Sequence, residues 1–133
     1  MSAPAKTVIK TDDAPRALGP YNQGIGISGY RLVFVSGQIG LDPASGGLVP
    51  GGIGPQTEQC LKNIGAILKA AGGGLDAVVK TAIYLASIDD FAAMNEVYEA
   101  CLGVPYPARS CVAGCDLPKG ALVEIEAIAA LEG

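Results

Sequence analysis

Only two stretches of this chain carry the three-and-four spacing of a helix, and that scarcity limits what it can fold into. Over residues 55–71 the apolar positions Cys60, Leu61, Ile64, Ile67, Leu68 and Ala71 recur at helical intervals. Pro55 opens the run and Gly72-Gly73-Gly74 stops it, the pattern of an amphipathic helix with a glycine C-cap. A second run, Phe91, Met94, Val97, Tyr98 and Cys101, follows Asp89-Asp90, which offers an N-cap. The other segments are β-rich or full of breakers. Strands are expected over 7–10, 21–27, 31–38, 78–85, 108–113 and 122–131. Ser28, Gly29 and Tyr30 give the second and third the spacing of a hairpin, and the turn around Leu117-Pro118-Lys119-Gly120 joins the last two. In the strand over 78–85, Val79, Thr81, Ile83 and Leu85 share one face. Residues 40–54 hold six glycines and two prolines, too many breakers for either period, and read as a long loop.

The order is β, ββ, α, β, α, ββ: an α/β chain, read as one domain over 1–133, with a mixed six-stranded sheet and two helices on one face. Two helices cannot cover both faces of such a sheet, so the other face is either wet or covered by another subunit. The last strand points the same way. Val123, Ile125, Ala127, Ala129 and Leu131 face one side; Leu122, Glu124, Glu126, Ile128 and Ala130 face the other. A face with two carboxylates between leucine and isoleucine suits a partly polar subunit interface, so an oligomer is expected.

Half of the residues are hydrophobic, 17% are charged and tryptophan is absent, so the core is to be built from Ala, Val, Ile and Leu. The net charge is −4 and the nine basic residues are scattered singly, which disfavours nucleic-acid binding through phosphate contacts. Aromatics do not alternate with lysines, so no base-stacking platform is expected. Four cysteines in a chain of this length need not be staples, and free thiols in a reducing compartment fit better. The first residues, MSAPAKTVIKTDD, have no apolar core and carry early acids, against both secretion and a transit peptide. A cytoplasmic protein without a membrane span is expected.

Several motifs fail on physical grounds. Gly24-Ile25-Gly26-Ile27-Ser28-Gly29 matches the dinucleotide fingerprint, but a strand follows it where the fingerprint requires a helix N-terminus. The chain has no histidine, so Ser-His and Cys-His nucleophile pairs are excluded, and Cys111 and Cys115 lack a second close pair for structural zinc. Glu124 and Glu126 alone are an incomplete shell for a hard cation. Arg109, Cys111, Glu124, Glu126 and Tyr21 remain. Arg109 and Cys111 share a strand face, as do Glu124 and Glu126; if those strands pair, a cation, a thiol and a carboxylate could line one patch. The competing reading is that Arg109 salt-bridges a glutamate and Cys111 is a small buried hydrophobe.

The segments GPYNQG (19–24), VSGQIG (35–40), VVKTAIYLASIDDFAAMNEVYEA (78–100), PARSCV (107–112) and LPKGALVEIEAIA (117–129) together resemble the RidA (YjgF) family of reactive intermediate deaminases. The resemblance spans about residues 11–130. It implies a fold similar to trimeric chorismate mutase, a homotrimer with sites at the subunit interfaces, and hydrolysis of enamines and imines such as 2-aminoacrylate, 2-iminopropanoate and 2-iminobutanoate to 2-keto acids and ammonia without a cofactor. By position it implies Arg109 as the substrate-carboxylate anchor and Glu124 as the water-activating group. Tyr21 is implied to take part in catalysis by bonding the nitrogen or the water, and with Gly37, Asn95 and Cys111 to line the site. A non-catalytic keto-acid sensor is the alternative, and a ribonuclease or translation inhibitor, as reported for some relatives, sits poorly with an acidic chain lacking histidine.

Overall fold

A computed structural model describes residues 5–132. Its strands are β1 (Thr7–Ile9), β2 (Gly24–Gly26), β3 (Tyr30–Ile39), β4 (Val78–Leu85), β5 (Ala108–Val112) and β6 (Val123–Glu132); its helices are α1 (Ile53–Ala70) and α2 (Phe91–Cys101). The ten-residue β6 organises the main sheet, pairing antiparallel with β3 on one side and β4 on the other, while β5 adds parallel to β4. The order β3-β6-β4-β5 makes a mixed sheet, with α2 as the crossover that a parallel pair requires.

Three expectations about this sheet are corrected. The six strands do not form one sheet: β1 and β2 make their own two-stranded ribbon, and only four strands form the main one. The hairpin expected between 21–27 and 31–38 is therefore absent, because β2 pairs with β1 and β3 pairs with β6. Glycines explain the exchange. Gly24 and Gly26 offer β3 no side chains to pack on, whereas their bare backbone lets Ile9 lie so close that a Cβ at Gly24 would stand 3.3 Å from Ile9 Cβ. The last two strands are also not neighbours, since β4 runs between β5 and β6.

Both helices lie on one face. Leu61, Ile64 and Leu68 of α1 and Met94 and Tyr98 of α2 are almost fully buried against Val123, Ile125, Ala127, Ala129 and Leu131 of β6 and Ile83 and Leu85 of β4. Each such aliphatic burial is worth about 1.5–3 kcal/mol before entropy is charged against it. The face expected for β6 is the face observed. On β4 a register shift between Val78 and Lys80 changes the parity, so Val78 enters the core and Val79 does not.

α1 begins at Ile53, two residues before the expected start, with Gly52 as its N-cap. It ends as the glycines require: Gly72 is left-handed (φ 96°), its N–H reaches the Lys69 carbonyl at 3.1 Å, and the Gly73 N–H reaches Leu68 at 2.8 Å. Ahead of α2, Asp90 stands at the N-cap position as expected but its side chain makes no capping bond; the side-chain cap comes earlier, from Ser87. Its hydroxyl accepts the Asp89 N–H at 3.1 Å and a short 3-10 turn leads into the helix.

Among the described residues no helix covers the other face of the sheet, although Ala130 on it is buried. Leu32 (47% exposed), Phe34 (72%) and Val112 (52%) lie on it, beside the half-buried Ile128. Among the described residues no helix is long and apolar enough to cross a membrane.

Burial has a measurable consequence at Cys60. Its thiol, fully enclosed under β6, is pushed from 9.0 up to about 12, first by burial and then by the charge of Glu124. Above pH 9 the unfolded chain gives up a proton that the folded chain keeps, so this contribution to stability is lost between pH 9 and about 12. Urea unfolding midpoints are expected to fall over that range, and to fall less steeply in Cys60→Ala. An unchanged slope in the variant would place the alkaline loss at other groups.

Candidate active site

Arg109 sits on the edge strand β5 opposite Thr81 of β4, and Thr81 is buried on the helix-covered face, so the guanidinium turns toward α2. There it meets aromatic surface on several sides. Its Cζ lies 5.1 Å from the centre of the Tyr98 ring, 5.5 Å from Tyr21 and 5.7 Å from Phe91. Nη1 donates to Asn95 Oδ1 at 2.5 Å. Such ring faces hold a cation with about 0.5–2 kcal/mol each, without using up its N–H donors. Arg109 is thereby oriented by groups that leave most of its donor fork unpaired.

Local sequence builds this arrangement. Phe91, Asn95 and Tyr98 are spaced four and three apart on α2 and so project together. Tyr98 is anchored in turn by a 2.8 Å hydrogen bond between its hydroxyl and that of Thr81. Burial raises its ionisation above the usual phenol range, against the opposing pulls of Thr81 and Arg109, so the ring stays neutral. Tyr21 follows a tight turn in which its own N–H bonds the Gly19 carbonyl at 2.7 Å.

Cys111 follows on the same face of β5, opposite Ile83, half-buried and packed against the core. Burial raises its thiol above the usual range, outweighing the pull of Arg109. At neutral pH it is a protonated wall residue, which matches the hydrophobe reading and not a nucleophile.

Glu124 is elsewhere. It pairs with Tyr84 and Ile39, and its neighbours Val123 and Ile125 fill the core, so its carboxylate points to the bare face. Gly37 lies under it: a Cβ there would collide with the Glu124 carboxylate. Glu126, on the same face, accepts a 2.7 Å hydrogen bond from the Tyr84 hydroxyl. The two alternatives that needed β5 beside β6 are thus both corrected. Arg109 makes no salt bridge with either glutamate, and no single patch of one chain holds the cation, the thiol and Glu124. With β4 between them, the strands stand about 10 Å apart and the side chains leave opposite faces.

The six expected site residues therefore form two groups, Tyr21, Asn95, Arg109 and Cys111 on the helix side and Gly37 with Glu124 on the bare side. Phe91, Tyr98 and Thr81 were not among the site residues expected. The signal was present in the spacing of Phe91, Asn95 and Tyr98, but an aromatic at helical spacing usually means core, and Tyr98 is core as well. Among the described residues, no three His, Cys, Asp or Glu side chains gather as a metal ion would need.

A family model described as Endoribonuclease L-PSP matches residues 11–131. The chain belongs to this family, known also as RidA or YjgF. The chain is 48% identical over 129 residues to the 2-iminobutanoate/2-iminopropanoate deaminase of Mus musculus, covering 97% of this chain and 94% of the relative. The human protein of the same name is 47% identical, with 97% and 93% covered. Among solved structures, RidA from an Antarctic Psychrobacter matches with a TM-score of 0.73 at 46% identity, covering 94% of this chain and 99% of that one. The α/β architecture with two helices and a mixed sheet is thus that of RidA structures.

Proposed function

We propose that this RidA-family chain is a hydrolase of C–N bonds that converts 2-iminobutanoate and 2-iminopropanoate to the 2-keto acids and ammonia. The observation that carries the reading is the Arg109 guanidinium, held by three rings and one amide, with no carboxylate paired to it among the described residues. Its free donors match the two oxygens of a 2-imino acid carboxylate. The names of relatives at about 48% identity supply the substrate class.

The chemistry asks little more. A protonated imine carbon is already electrophilic. Glu124 holds a water against it and takes one proton as the water oxygen bonds to carbon, leaving a carbinolamine. Glu124 then returns that proton to the amino group, the C–N bond breaks to release ammonia, and the hydroxyl proton passes through Glu124 to the ammonia as the carbonyl forms. The products are the keto acid and ammonium; the enamine 2-aminoacrylate enters by protonation at its terminal carbon. A positioned base contributes about 10²–10⁴-fold, roughly 3–5 kcal/mol, and no covalent intermediate is needed. Tyr21 bonds the nitrogen or the water.

Because Arg109 and Glu124 leave opposite faces of the sheet, the reading requires two copies of the chain, each giving one half of the site. We therefore place the reaction at the interfaces of a homotrimer in the cytoplasm, formed by packing the bare faces on which Leu32, Phe34 and Val112 lie so that the β5 edge carrying Arg109 of one subunit borders the Glu124 side of the next. The test is release of pyruvate and ammonia from 2-aminoacrylate generated in situ. Acceleration over buffer is expected from the wild type, and Cys111→Ala is expected to keep most of it. A wild type no faster than buffer across several imino acids, yet binding 2-ketobutyrate, would make the chain a keto-acid sensor. RNA cleavage, the activity in the family model's description, is disfavoured by the net charge of −4 and the lack of histidine.

A further inference from the structure

A cleft of about 340 Å³ opens where the start of the chain meets the segment joining α2 to β5. That volume lies in the range of small-molecule sites. Leu75, Leu102, Val104 and Pro105 give it apolar walls, and it carries two charges of opposite sign, Lys6 and Asp76. None of Tyr21, Gly37, Asn95, Arg109, Cys111 or Glu124 lines it.

Lys6 is incompletely satisfied by the protein, and Asp76 is exposed. The half-buried Lys6 ammonium donates to the Pro105 carbonyl at 3.3 Å, one use of three N–H donors. Burial lowers its pKa, and Asp76 opposes that shift, so the two groups attract each other across the cleft. They nevertheless do not close into an ion pair. A half-buried cation and an exposed anion beside apolar walls suit one ligand with a carboxylate for Lys6, an ammonium for Asp76 and a hydrocarbon chain for Leu75, Leu102 and Val104. A plain carboxylate would meet Lys6 and be repelled by Asp76; a plain amine would meet Asp76 and be repelled by Lys6. Only a zwitterion answers both.

We propose that this cleft binds an aliphatic α-amino acid. The site is separate from the chemistry proposed for Arg109 and stands or falls without it. Calorimetric titration of the full chain with L-leucine is the test, beside isoamylamine, which lacks the carboxylate, and isocaproate, which lacks the ammonium. Leucine is expected to bind saturably, each half-ligand at least about tenfold more weakly, as follows from losing a hydrogen bond to a charged group. Lys6→Met and Asp76→Asn should each weaken leucine by a similar factor, and Arg109→Ala should leave it unchanged. Should Lys6→Met fail to fold, Asp76→Asn and the half-ligands decide the matter. Absence of leucine binding, equal binding of leucine and isocaproate, or loss of leucine binding in Arg109→Ala would each overturn the proposal.

Discussion

Arg109→Ala is expected to all but abolish turnover of 2-imino acids, lowering kcat/KM by about 30- to 5,000-fold, the 2–5 kcal/mol typical of deleting one partner of a desolvated charge pair. The effect should be large because nothing nearby can substitute. Asn95 would lose its donor, and Tyr21, Phe91 and Tyr98 present only ring faces to the vacated space. Arg109→Lys separates charge from geometry. An ammonium keeps the attraction but not the parallel donors, so it should restore part of the lost affinity while leaving kcat depressed, as expected for a mis-oriented substrate. Thermal melts of both variants show whether the fold survives. A lysine variant with full activity would mean that orientation by the guanidinium fork is not what Arg109 supplies.

Glu124→Gln is expected to lower kcat by about 10²–10⁴-fold with little change in KM, the signature of losing a general base that acts in the transition state. The substitution keeps the shape, which matters because the carboxylate lies directly over Gly37 with no room for a Cβ. Gly37→Ala should therefore damage the same step by displacing Glu124, although alanine removes no chemistry. Steady-state kinetics on the in situ imine gives both constants. A rise in KM alone for Glu124→Gln would make this residue a binding group and leave the base unassigned.

What the sequence disclosed depended on the range of the interaction. The helix over 55–71, its glycine stop and the two faces of the last strand were legible because periodicity and capping are local, and α1, the Gly72-Gly73 turn and β6 match them closely. Strand pairing was not legible. Nothing within residues 21–27 says that Gly24 and Gly26 will accept Ile9 instead of β3, and nothing within 108–131 says that β4 will insert between β5 and β6. The Val78 to Lys80 register shift is of the same kind, since one extra residue inverts a face without altering the apolar pattern. In the candidate site, resemblance named Arg109, Asn95 and Tyr21, which the structure puts in contact with one another, and spacing alone could not have grouped them. The separation of Glu124 from Arg109 emerged only when the strand order was known, and it is the reason the proposed site is divided between two copies of the chain.

The measurement that bears most directly on this account mixes the two inactive variants. Arg109→Ala and Glu124→Gln chains are unfolded, combined in equal amounts, refolded together and assayed, with the mixed assembly verified by native mass. If each site takes Arg109 from one subunit and Glu124 from another, random assembly leaves roughly a quarter of the interfaces with both residues intact, and about that fraction of wild-type activity returns. Mixed trimers that remain as inactive as either parent would contradict the shared site and with it the mechanism.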